Sequence, residues 1–247
     1  MTSASPSNSP PSPICGHTLA MLKTVNVSTL TNCLLRRGFR NQFLHGIAPL
    51  DPSLPNMVGP AFTLRFIPSR EDLDTMANYQ LETHVQRRAI EECPPGAVLV
   101  VDSRGDSRAA SAGDLLIARL KARGCAGIVT DGGYRDLPGI RRTGLPSYQA
   151  QTASPATPIT LHPADLNLPV GCAGVAVYPG DIVVGDAEGV VIIPAHVAAE
   201  VAEEAAGVVA YEAFAEEKIN EGRSIFGLFP ATEESRREYE AWTKTRS

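Results

Sequence analysis

Residues 97–131 restrict the fold more than any other part of the chain. AVLVVD (97–102) is a nearly continuous β-branched run, of the kind buried on both faces of a sheet. GDLLIARLKARG (113–124) follows with helical spacing, and AGIVTD (126–131) repeats the strand signal. A strand–helix–strand unit of this length joins parallel neighbours by a right-handed crossover. The text therefore predicts an α/β domain.

The flanking text fits around that unit. NVSTLTNCLLRR (26–37) reads as a first helix with basic residues in its last turn and Gly38 as its stop. GPAFTLRF (59–66) alternates like a strand. A long polar helix is expected within 71–93, closed by Pro94-Pro95-Gly96. Residues 175–194 hold three short strands between PGD and DAEG turns, which predicts antiparallel pairing. Residues 195–222, rich in Ala and Glu, read as one long helix docked on the sheet or on a neighbour. At the other end, residues 1–13 contain five Ser and four Pro without apolar periodicity and cannot repay the entropy of ordering.

Composition removes several function classes. With 43% hydrophobic and 20% charged residues in 247, a sizeable core is available and wholesale disorder is excluded. The formal net charge of -5 argues against a general nucleic-acid binder, which needs a cationic face to displace counterions. It does not exclude an anionic substrate, for which one placed Arg suffices. Cys15, Cys33, Cys93, Cys125 and Cys172 are scattered and form no CxxC pair, so neither a disulfide framework nor a zinc site is indicated. Gly, Asp or Pro interrupts every apolar stretch before membrane-spanning length, and the N-terminus lacks a basic and an apolar signal region. A soluble, cytoplasmic protein with reduced thiols and no membrane or nucleic-acid partner is expected.

Ligands of open α/β folds gather at the carboxyl ends of strands, beside helix N-termini. One strand end here is Asp102, whose polar loop delivers Ser111-Ala112-Gly113-Asp114-Leu115-Leu116 into a helix. The unpaired amides of that first turn form an anion site, and Gly113 lets a carboxylate approach the main chain. The second strand end is Asp131-Gly132-Gly133-Tyr134-Arg135-Asp136. Its Arg can bind a carboxylate or polarise an oxygen, and its Asp is a hard-oxygen ligand for Mg²⁺. Each segment alone reads more readily as an ordinary helix start or a surface ion pair. Together, on neighbouring strands, they suggest a site for a small metal-chelating oxo-acid.

Other residues invite plainer readings. His17, His45, His84, His162 and His196 fit neither HExxH nor HxH and are assigned structural or surface roles. Asp181 and Asp186 sit in turns where Asp bonds its own backbone, Cys125 and Cys172 lie in apolar text, and Trp242 is assigned to packing. No GxxxxGK[ST], GxGxxG or GxSxG occurs, which removes the main support for P-loop, Rossmann-cofactor and serine-hydrolase readings.

GDLLIARLKARGCAGIVTDGGYRD, followed by LPVGCAGVAVYPGDIVVGDAEGVVIIP, resembles the 4-hydroxy-4-methyl-2-oxoglutarate aldolase / RraA-like family over roughly residues 26–222. The resemblance implies a swivelling α/β/α sandwich, a homotrimer or homohexamer, and Mg²⁺- or Mn²⁺-dependent aldol cleavage of a small 4-hydroxy-2-oxo acid, often with oxaloacetate decarboxylase activity. It implies that Asp136 ligates the metal, that Arg135 binds substrate and acts in catalysis, and that Asp114 holds a water on the metal. The Leu115 and Leu116 amides, after Gly113, would cradle the pyruvyl carboxylate. A further Glu would come from a neighbouring subunit's C-terminal helix; Glu212 matches best, with Glu216 and Glu217 as rivals. Two alternatives stay open: a non-catalytic regulator that binds a ribonuclease, and hydrolysis of a 2,4-dioxo acid on the same platform. The chain departs from shorter members in the region after Phe66 and in GRSIFGLFP (222–230). The resulting division is a disordered tail over 1–16, an α/β domain over 17–222 and a C-terminal helical extension over 223–247.

Overall fold

A computed structural model describes residues 14–246. The Ser/Pro-rich residues 1–13 lie outside them. The described residues open with helices α1 (Gly16–Leu22) and α2 (Val27–Arg36). Asn26 caps α2 by accepting from the Thr29 amide at 2.8 Å; this is the helix expected over 26–37, but α1 precedes it, so it is the second helix and not the first. Strands β1 (Ala48–Pro49) and β2 (Met57–Pro68) come next, then two short helices, α3 (Met76–Tyr79) and α4 (Val85–Glu92). The predicted crossover unit runs from β3 (Val98–Asp102) through β4 (Ala110–Ala112) and α5 (Asp114–Ala122) to β5 (Gly127–Thr130). After it come β6 (Gly133–Tyr134), α6 (Leu137–Thr143), β7 (Ser147–Gln149) and β8 (Gln151–Thr152). The second half contributes β9 (Leu161–Leu166), β10 (Val170–Cys172), β11 (Val175–Val177), β12 (Ile182–Gly185) and β13 (Val190–Ile193), then α7 (Ala198–Asn220) and α8 (Glu233–Lys244).

The main sheet has the order β1–β7–β5–β3–β2–β12–β13, with β9 paired to the far end of β2. β3 lies parallel between β2 and β5, so Val100 stands opposite both Thr63 and Val129. Successive side chains of a strand point to opposite faces, and the core divides accordingly. Leu99 and Val101 join Ile90 of α4, Ile117 and Leu120 of α5 and Ile140 of α6 on one outer face. Val98 and Val100 turn the other way, where Val129, Val183 and Ile192 meet Val170, Cys172, Val175 and Val177 of the β10–β11 hairpin. At the other end of the sheet, Ile182, Val184, Val191 and Ile193 pack on α1, α2 and α7. Helices thus pack along one face of the mixed sheet at both of its ends, and the β10–β11 hairpin covers the other face; a mixed α/β fold with a C-terminal helix is what the resemblance implies. Two smaller strands, β4 and β6, leave the main sheet and pair in parallel with each other and with β8.

Two expectations need correction, and a third is refined. The long polar helix of 71–93 is two short helices separated by turns. Only Gln86, Ala89 and Ile90 of that stretch's helical residues are buried, so no continuous apolar stripe exists to support one helix. Three strands do occupy 175–194 and all their pairings are antiparallel, as expected: β11 pairs with β10, and β12 with β13 and β2. The intervening turn, where Gly180 adopts φ +89° and the Tyr178 amide donates to Asp181 Oδ2, sends the chain into a different sheet. Ordered chain also starts before residue 17: Ile14 packs on the core and α1 opens at Gly16.

The C-terminal extension docks on the end of α7. Phe214, Ala215 and Leu228 form a small core of their own, against which Tyr211, Tyr239 and Trp242 pack. Trp242 Nε1 donates to Glu217 at 3.0 Å, and the Arg246 guanidinium lies 4.4 Å over its ring. Among the described residues, no helix is long and apolar enough to cross a membrane.

Candidate active site

The site begins where β4 runs straight into α5. Gly113, the residue before the helix, has extended backbone (φ −122°, ψ −178°), so no turn demands a glycine there. Space demands it: a Cβ on residue 113 would stand 2.9 Å from Asp136 Oδ2 and 3.2 Å from Arg135 Cγ. The first helical hydrogen bond runs from the Ile117 amide to Gly113 O, so the amides of Asp114, Leu115 and Leu116 precede the first rung and are available to an anion.

Strand β6 brings the second half of the site alongside. Gly133 and Tyr134 pair with Ala110 and Ala112, and the Arg135 amide donates to Ala112 O at 3.1 Å. Asp136 then sits in the left-handed region (φ 60°, ψ 37°) at the start of α6, a conformation that Asp tolerates better than most residues. Arg135 Nε donates to Asp136 Oδ2 at 3.1 Å, and both side chains are two-fifths exposed. Asp114 lies across the α5–α6 contact, its carboxylate against the backbone of Gly139.

A buried hydroxyl cluster holds these strand ends in register. Ser111 Oγ and Thr130 Oγ1 are 2.8 Å apart, Ser103 Oγ is 3.1 Å from each, and Ser111 Oγ donates to Gly133 O. Asp131 is buried close by. Burial raises its carboxyl above the usual range against the opposing effect of the Ser103, Ala173 and Gly105 amides that donate to it. Asp102 accepts from the Arg104 and Gly171 amides, so both strand-end aspartates serve the scaffold.

Gly113, Asp114, Leu115, Leu116, Arg135 and Asp136 all line one cleft of about 460 Å³. The rest of the lining consists of Met76, Tyr79 and Arg87 with Ala156, Thr157 and Pro158. Sequence reading missed these residues. They lie in a polar segment and a loop that carry no motif, and only the packing of α3 and α4 brings them here. Glu212 is elsewhere: it lines a separate cavity between α2, α7 and the extension, with Arg36, Tyr211 and Arg236. Its rival Glu217 is engaged by Trp242 and Arg246, and Glu216 is exposed. Among the described residues, no group of three or more His, Cys, Asp or Glu is placed to hold a metal. None of the histidines lines the cleft. His162 Nδ1 lies 2.7 Å from Asp74 Oδ1, and burial lowers the pKa of His84.

Residues 26–192 match the RraA-like family, described as Aldolase/RraA. A Halalkalibacterium halodurans protein named "Putative 4-hydroxy-4-methyl-2-oxoglutarate aldolase" is 35% identical over 148 residues, which span 60% of this chain and 64% of that protein. Among solved structures, Streptomyces coelicolor RraAS2, described as an unusual member of the RNase ES inhibitor RraA protein family, is 34% identical with a TM-score of 0.74. That match covers 84% of this chain and 99% of the other. An uncharacterized protein from Pseudomonas syringae pv. tomato is similar in fold over 93% of this chain and 100% of the other, at 25% identity and a TM-score of 0.80.

Proposed function

The chain belongs to the Aldolase/RraA family, and we propose that it is a divalent-metal-dependent lyase that cleaves a small 4-hydroxy-2-oxo acid to pyruvate and a carbonyl product. One observation carries this reading: Gly113 leaves room for Asp136 Oδ2 and the Arg135 stem directly beside the free amides of α5. A metal ligand, a guanidinium and an anion cradle therefore share one cleft.

The donor set suits a hard cation. Asp136 and Asp114 are oxygen donors on the same cleft, and an ion held by one or two carboxylates completes its shell with water and substrate. Bound there, Mg²⁺ or Mn²⁺ would supply Lewis-acid charge at the substrate's 2-oxo oxygen.

The chain's own groups do the rest. The Leu115 and Leu116 amides take the substrate carboxylate at the positive end of α5. With Nε engaged by Asp136, Arg135 keeps both terminal nitrogens for substrate. Scission of the C3–C4 bond leaves its electron pair on C3, delocalised toward the C2 oxygen, and the Arg135 guanidinium stabilises that charge. Asp114 takes the C4-hydroxyl proton through a water. Oxaloacetate loses CO₂ by the same electron shift, so the two activities are expected together. In a homotrimer or homohexamer, Glu212 of a neighbouring subunit would add a further acid.

The test is pyruvate release from oxaloacetate and from 4-hydroxy-4-methyl-2-oxoglutarate, with Mg²⁺ and then with excess EDTA. Release that stops on chelation supports the reading; silence on both substrates with folded, Mg²⁺-supplied protein sinks it. The likeness to the Streptomyces protein favours a second reading, a regulator that binds a ribonuclease. Capture of a ribonuclease by protein that releases no pyruvate would select it.

A further inference from the structure

We propose that Arg87 is the specificity residue of the cleft, receiving a carboxylate on the half of the substrate that leaves as the carbonyl product, with Met76 and Leu115 packing on that half's carbon skeleton. The inference rests on the lyase reading and deepens it.

Three observations carry it. The first is extent. The pyruvyl end is accounted for by the α5 amides, Arg135 and Asp136, yet the cleft continues to the wall formed by α3 and α4. Its volume of about 460 Å³ lies in the range of pockets that enclose whole ligands far larger than three carbons.

The second is charge. Arg87 lines that wall and donates through a single nitrogen, Nη1, to the carbonyls of Gln80 at 3.2 Å and Tyr79 at 3.5 Å. Among the described residues, no carboxylate lies within 4.0 Å of its guanidinium. Neighbouring arginines are satisfied: Arg88 pairs with Glu92 at 2.6 Å and Arg119 with Glu91 at 2.8 Å. Glu91 feels the charge of Arg87 but is already engaged by Arg119. Among the described residues Arg87 therefore keeps Nε and Nη2 without a protein acceptor, a fork suited to a carboxylate. Its position is set by the end of α3, between this cleft and a neighbouring cavity lined by Glu82, Glu91 and Glu92.

The third is apolar surface. Met76 of α3 and Leu115 of α5 both line the cleft and are 66% and 80% exposed. A ligand carrying methyl or methylene carbon between its two carboxylates would cover both. A neutral fragment would leave Arg87 unpaired, and a purely polar one would leave Met76 and Leu115 in water.

The experiment compares two ligands that share the 2-oxo-acid end, pyruvate and 2-oxoglutarate. Their binding to wild type, Arg87→Gln and Arg87→Lys is measured by calorimetry with Mg²⁺ present. Wild type is expected to bind 2-oxoglutarate about ten- to a hundredfold more tightly than pyruvate, the size of a charge-assisted hydrogen bond. Arg87→Gln should bring that ratio close to one, and Arg87→Lys should restore part of it. A ratio near one in wild type, or the same ratio in wild type and Arg87→Gln, overturns the role of Arg87. Pyruvate binding with an unchanged ratio would sink only this inference. Failure of both ligands to bind, with no pyruvate release from oxaloacetate, would remove the lyase reading along with it.

Discussion

The Asp114 carboxylate rests directly on the backbone of Gly139: a Cβ at position 139 would stand 2.2 Å from Asp114 Oδ2 and 2.7 Å from Asp114 Cβ. The first turn of α6 is therefore the wall that fixes the direction of the acid on α5. Gly139→Ala should displace Asp114 or push α6 outward. Alanine is the better helix former by about 1 kcal/mol, so any loss is steric. Turnover is expected to fall by roughly a hundredfold, the scale of an ångström-level misplacement. Steady-state pyruvate release beside a melting curve checks this, and wild-type turnover in Gly139→Ala would show that the placement of Asp114 is immaterial.

Asp136 pays for its position with backbone strain, at φ 60° outside a glycine. Its ion pair with Arg135 is two-fifths exposed on both sides, and such pairs contribute about 0–1 kcal/mol. Asp136→Gly relieves the strain, worth about 1–2 kcal/mol, and loses little else. The variant should melt at or above the wild-type temperature while pyruvate formation disappears. Arg135→Ala should likewise stay folded and lose activity. Full turnover in either variant would contradict the site.

What the sequence makes legible is the half of the cleft written as contiguous text. GDLL and GGYRD each place a charged or anion-binding group beyond the ends of the neighbouring strands β3 and β5, and the β4–β6 pairing, which the sequence did not announce, joins them. Gly139 is different, because its role depends on α6 lying against α5, a contact that no spacing along the chain encodes. Met76, Tyr79 and Arg87 are hidden for the same reason. The segment 71–93 has the polarity of a solvent-exposed helix, and only its breakage into α3 and α4 folds the three residues over the pocket. The partner of β11 was not legible either, because periodicity identifies a strand but not its partner, and β10, which pairs with it, is only three residues long.

Glu204 of α7 is clamped by Arg36 and Arg37 at the C-terminal end of α2, which joins the second helix to the long one. Burial raises its carboxyl, but hydrogen bonds from Arg37 and Arg36 outweigh that and hold its pKa below the usual 4.5. A carboxyl depressed in the folded state contributes stability above its unfolded pKa and loses it as pH falls through the folded value. Glu204→Gln should therefore melt below wild type at pH 7, by the equivalent of about 1 kcal/mol or less given partial exposure. The gap between the two should narrow steadily below about pH 4.5. Melting curves at pH 7, 5, 4 and 3 check the sign, and a gap that widens in acid would refute it.

Within its own chain Glu212 has no cleft to serve, since its cavity is walled by Arg36, Tyr211, Phe229 and Arg236. It also makes no hydrogen bond or ion pair among the described residues, whereas Glu217 is fully occupied by Trp242 and Arg246. A role in turnover therefore requires a second subunit whose cleft lies against this α7. The consequence is complementation. Arg135→Ala and Glu212→Gln should each be inactive alone, but assemblies co-expressed from both contain some clefts with an intact Arg135 and an intact neighbouring Glu212. Pyruvate release should reappear in the mixture and be absent when the two variants share one chain. Should Glu212→Gln alone keep wild-type turnover, Glu212 belongs to the α2–α7 cavity and the acid must be sought at Glu216, the remaining exposed carboxylate in that stretch of helix.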